Sequence, residues 1–185
     1  VCRPEGRNEE WRIEKFFTIL HSQFLIFNMW RIAILLWLAF VLQTTWFCQS
    51  FSTLGGARVD LPLLVVISVG LLWGARVGLI CGLAAGLLSG VITSYNPGSL
   101  AISRLIVGGI CGTFDRRFSH DNPLAVPLCM AGGTLLAHVL FGLMSPADFA
   151  QPWGRFGGTV ALNTVCGTLL HLGLLQMGFA PRDEG

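Results

Sequence analysis

The chain has 185 residues, 53% of them hydrophobic and 12% charged, with a mean hydropathy of +0.66. That is more apolar surface than the core of a soluble domain of this size requires, and the charges leave long runs near the ~20 residues a helix needs to cross a ~30 Å hydrocarbon layer. A net charge of +2, with no Lys/Arg run interleaved with aromatics, excludes a nucleic-acid groove.

Residues 1–28 form a leader, polar at first and then mixed, with Arg12, Glu14, Lys15, His21 and Gln23. It reads either as an interfacial amphipathic helix that turns Trp11, Phe16, Phe17, Leu20 and Phe24 to lipid, or as a non-native extension upstream of a start at Met29. From residue 29 to 180 the sequence predicts a six-span transmembrane domain, and 181–185 form a cytosolic tail. The first span covers 31–51. Residues 61–95 carry one charge, Arg76, and as a single helix would be about 52 Å long, too long for one crossing. They therefore fold back at Trp73-Gly74-Ala75-Arg76 into spans 61–73 and 76–95. The breaker Asn96-Pro97-Gly98 precedes span 99–114, and spans 124–144 and 156–179 follow. The fold class expected is an all-α integral membrane protein, a six-helix transmembrane bundle.

Orientation follows from the basic residues. One side of the six-span arrangement holds Arg3, Arg7, Arg12, Lys15, Arg31, Arg76, Arg116, Arg117 and Arg182; the other holds Arg58 and Arg155. Both termini are expected in the cytosol, whether the chain starts at Val1 or Met29.

The most specific pattern is Gly74, Gly78, Gly82, Gly86 and Gly90, a glycine at every fourth position of the third span. Such a stripe admits another helix backbone closely, either within the bundle or from a docking partner. Each four-residue step overshoots a turn by about 40°, so the stripe is expected to face two neighbouring helices and to make the third span the centre of the bundle. Arg104 lies inside the fourth span, where a cation snorkels or pairs; Asp60 and Asp148 are the partners in reach. Asn163, Gly167 and His171 share one face of the sixth span, and His138 lies in the fifth, so these polar groups could meet inside the bundle. Arg116 and Arg117 suit a cytosolic partner or anionic headgroups. The six scattered cysteines predict neither a disulfide framework nor a zinc site. No acid lies within a span and no nucleophile, metal or phosphate motif is present, so the chain is expected to be no enzyme and no ion-coupled transporter, with no cofactor.

Several short patterns in order resemble the rod shape-determining membrane protein MreD family over residues 29–179. Leu42-Gln43-Thr44-Thr45 is similar to that family's first-helix ending, and Asp60-Leu61-Pro62 stands where it has Pro-Asp-Leu. Gly86-Leu87-Leu88 resembles its Gly-rich third helix, with Ser89-Gly90 where the family has an Asp. Gly108-Gly109-Ile110-Cys111-Gly112 running into Arg116-Arg117 resembles its fourth helix and basic loop. The resemblance implies a non-enzymatic scaffold of the bacterial cell-elongation complex in the cytoplasmic (inner) membrane. It would bind an MreC-like single-span protein and through it couple MreB to the peptidoglycan synthases. That architecture is also similar to the substrate-binding subunits of energy-coupling-factor vitamin transporters, the alternative function.

Overall fold

The computed structural model describes residues 29–45, 57–94, 96–114, 124–145 and 153–179, with the backbone alone at 153–155. The leader, the tail and the loop carrying Arg116 and Arg117 lie outside the described residues. By contacts the chain forms two compact units, Val1–Leu35 and Leu36–Gly185. The described part of the first is the start of helix α1 (Met29–Thr44), with Trp30 and Ile34 exposed. The second holds the rest of α1 and five more helices: α2 (Leu61–Trp73), α3 (Ala75–Thr93), α4 (Pro97–Thr113), α5 (Ala125–Met144) and α6 (Trp153–Gln176). The described residues are thus all-helical, with six helices. Three stretches, Ala75–Thr93, Ala125–Met144 and Phe156–Gln176, are long and apolar enough to cross a membrane.

The helix ends have local causes. Helix α1 stops before the expected residue 51: the Thr44 hydroxyl bonds the Phe40 and Val41 carbonyls, and Thr45 bonds Leu42, side chains competing with the last turn. Asp60 caps α2, its Oδ1 accepting from the Leu63 N–H at 3.2 Å, and Pro62 falls in the first turn, where no helical hydrogen bond is lost. The fold-back between α2 and α3 is a single residue, Gly74, at φ 84°. A side chain there would be strained. Helix α6 closes three residues before the expected end, in a Schellman turn: Gly178 (φ 66°) bonds the Leu175 carbonyl and Phe179 bonds Leu174.

The centre of the bundle is α2, not the glycine-striped α3. Every residue of α2 from Pro62 to Leu72 is buried, and it touches α3, α4, α5 and α6. Leu63, Leu64, Ile67 and Leu71 pack with Val107 and Cys111 of α4 and with Val126, Met130 and Ala137 of α5. Helix α3 instead turns Leu79, Leu83, Leu87 and Val91 outward.

Of the two neighbours expected along the glycine stripe, α4 lines most of it and α2 approaches at Gly78. A Cβ on Gly78 would collide with the Gly108 carbonyl, on Gly82 with that of Arg104, on Gly86 with Ala101 and on Gly90 with Pro97. These contacts order α3 and α4 as an antiparallel pair, every fourth residue of α3 meeting positions 108, 104, 101 and 97 of α4. Helices packed ridge into groove cross at an angle, so α4 stays against the stripe as it winds. Helix α2 comes in at Gly78, where a Cβ would lie 3.0 Å from Gly70 Cα.

Candidate functional site: a polar clamp at one end of the bundle

Residues 57–60, which lead into α2, are not helical. They run beside α6: the Arg58 N–H donates to Thr159 Oγ1 (3.2 Å) and the Asp60 N–H to Asn163 Oδ1 (3.1 Å). Asn163 lies seven residues past Phe156, about 10 Å along the helix. Non-helical backbone at such depth is tolerated only where protein satisfies its polar groups. Gln43 of α1 does the same from the other side, donating to the Val59 carbonyl at 2.8 Å and accepting from the Leu61 N–H at 3.0 Å.

Arg104 of α4 reaches this point from across the bundle. Its Nη2 lies 2.7 Å from Asp60 Oδ2, so the cation pairs, and with Asp60; Asp148, the other expected candidate, lies outside the described residues. Its Nη1 donates to the Ala85 carbonyl at 3.0 Å and to Ser89 Oγ, both on α3. The Ser89 hydroxyl in turn donates to the Ala85 carbonyl at 2.8 Å. Arg104 is 6% exposed, while the Asp60 side chain is 29% exposed, so one face of the carboxylate stays open. Asp60 thus holds two posts at once, cap of α2 and counter-ion of Arg104.

Of the other expected residues, one joins the clamp and the rest fall elsewhere. Asn163 joins the clamp through the Asp60 backbone. His138 places Nδ1 2.8 Å from the Thr134 carbonyl of its own helix and meets the Phe156 ring edge-on at 5.4 Å. His171 is buried near the other end of α6, with no hydrogen-bond partner at Nδ1. Gly74, Gly78, Gly82, Gly86 and Gly90 are taken up by packing within the chain, mostly against α4. The sequence reading missed Gln43, Ser89 and Thr159 as clamp residues. An amide or hydroxyl in an otherwise apolar run was the one signal, and it does not separate a clamp residue from one bonded to its own helix.

The clamp joins α1, α2, α3, α4 and α6 and contains no nucleophile beside a base. Among the described residues no group of His, Cys, Asp and Glu could hold a metal ion, and Cys81, Cys111, Cys129 and Cys166 are free thiols. What the arrangement can do is fix five helices against one another around one ion pair.

Comparison with known proteins returns one family model, the 5TMR of 5TMR-LYT, matched over residues 6–177. No curated protein and no solved structure matches the chain. The match carries a membrane family and gives no support to MreD or to the vitamin-transporter subunits. Spanning nearly the whole length, it shows that the chain belongs to the 5TMR family of 5TMR-LYT, and that it is a membrane protein.

Proposed function

We propose that the chain is a non-enzymatic scaffold of the bacterial cell-elongation complex, seated in the cytoplasmic membrane. It would bind an MreC-like single-span protein and help to couple MreB to peptidoglycan synthesis. The observation that carries this reading is how the polar groups are used: Arg104, Asp60, Ser89 and Gln43 are engaged with one another or with backbone, and Asn163 is engaged through its Oδ1 while its Nδ2 has no partner. A transport or ligand site needs convergent polar groups left for the cargo, whereas a scaffold needs helices held in fixed places. The ordered MreD-like patterns name the kind of scaffold.

A second reading comes from the family match: a five-transmembrane receptor module of the LytS type, in which the open side of Asp60 would face the signal. Purification from source membranes in mild detergent discriminates. Co-elution of a single-span protein with a large outer domain is the expected result. A bound small molecule with an ATPase module would sink the scaffold in favour of a vitamin-transporter subunit, and a kinase output protein would favour the receptor.

A further inference from the structure

The partners of Arg104 share a place in the chain as well as in space. Asp60 opens α2, and Ala85 and Ser89 lie on α3. Among the described residues, every group bonded to the guanidinium therefore precedes α4 in the sequence. The same holds for the surface that receives the backbone of α4, since Gly78, Gly82, Gly86 and Gly90 all belong to α3.

Helix α4 is poorly suited to enter a bilayer unaided. Arg104 stands near the middle of its 17 residues, and arginine is among the costliest residues to place at the centre of a spanning helix. Little offsets it: Gly98, Gly108, Gly109 and Gly112 bring no apolar side chain, and Ser99 and Ser103 bring hydroxyls. Helix α3 has no such handicap. Ala75–Thr93 is one of the stretches long and apolar enough to cross, and its one charge, Arg76, lies in its first turn.

We infer that α3 is the insertion partner of α4: α4 enters the membrane against a preformed face of α3, not as an independent span. The chain is made from its N-terminus, so α3 crosses first and presents the Ala85 carbonyl, the Ser89 hydroxyl and the glycine stripe. The Arg104 guanidinium then exchanges water for these acceptors and for the Asp60 carboxylate, without standing unpaired against lipid. The glycines keep the two backbones close enough for that exchange, since a Cβ on Gly82 would strike the Arg104 carbonyl. The clamp thereby serves the assembly of the bundle, apart from what it adds to the stability of the folded state.

The test uses the full chain, synthesised cell-free into bacterial inner-membrane vesicles, where misinserted chains are retained. Single cysteines in a cysteine-free background report the two ends of α4: one at Gly98, where a Cβ meets nothing within 4 Å, the other at Arg117. An impermeant maleimide, added before and after detergent, assigns each to a side. In the otherwise unmodified chain the two are expected on opposite sides. Asp60→Ala with Ser89→Ala removes both side-chain partners of Arg104, and Gly82→Leu with Gly86→Leu blocks the approach of α4 while making α3 more apolar. Each pair is expected to raise several-fold the share of chains with 117 on the side of 98. Adding Arg104→Leu to the first pair is expected to reverse that rise, although the same change removes the ion pair from the folded protein. The inference is overturned if the unmodified chain shows 98 and 117 on one side, if either pair leaves them opposite, or if Arg104→Leu does not restore the crossing. The readout needs no folded protein, so variants that misfold still decide.

Discussion

Arg104 carries its charge where water is nearly excluded, so its partners decide what its removal costs. Arg104→Leu leaves Asp60 capping α2 but without a counter-ion; breaking a buried pair from one side costs about 3–5 kcal/mol, and the partial exposure of Asp60 places the loss near 3. Removing both charges with Asp60→Asn and Arg104→Leu, which keeps a side chain able to cap, is expected to cost less than Arg104→Leu alone. Thermal unfolding in detergent compares the three; a double variant weaker than the single would mean that the pair is not the source of the loss. Gln43→Leu frees the Val59 carbonyl and the Leu61 N–H together and is expected to lose about 1–3 kcal/mol in the same assay. That Arg104 needs a partner could be read from one cation in an apolar run. That Ser89 and Gln43 would serve the clamp could not, because a lone hydroxyl or amide in a helix can satisfy itself locally.

The pairing of α3 with α4 rests on close backbone approach, and the two kinds of glycine in this chain separate packing from composition. A Cβ on Gly78 would strike the Gly108 carbonyl, whereas on Gly132 it would meet nothing within 4 Å. Gly78→Ala must push α3 from α4 and is expected to destabilise by about 1–3 kcal/mol, while Gly132→Ala stays within about 0.5 kcal/mol; equal effects in thermal unfolding would show that the stripe is not a contact surface. The stripe and the break at Gly74 were legible because glycine spacing has a direct steric meaning. The position of α2 was not. Its sequence, LPLLVVISVGLLW, is apolar on all sides, and in a membrane that pattern suits a helix surrounded by lipid as well as one surrounded by protein. The burial of α2 is decided by the contact faces of four other helices, which no local pattern in α2 records.

With the other five helices crossing, α2 decides between five and six crossings. As a helix of 13 residues it is about 20 Å long, short of a ~30 Å core and the shortest of the three helices, with α1 and α4, that a count by length passes over. Residues 57–60 add about 13 Å at extended spacing, giving roughly 33 Å in all, and the side chains of Gln43, Thr159 and Asn163 satisfy the backbone that a longer helix would have satisfied itself. The chain can therefore cross at α2 without a full-length helix. Six crossings put residues 52 and 98 on the same outer side, with Arg117 in the cytosol, as the excess of basic residues on the opposite side suggests; a non-crossing α2 would put 52 and 98 on opposite sides. Single cysteines at Ser52, Gly98 and Arg117 in a cysteine-free background test this with a membrane-impermeant maleimide. Labelling of the first two in intact cells, and of the third only after permeabilisation, is the expected pattern. Opposite accessibility of 52 and 98 would make α2 a re-entrant helix and reverse the sidedness of everything after it, leaving five crossings and favouring the receptor over the scaffold.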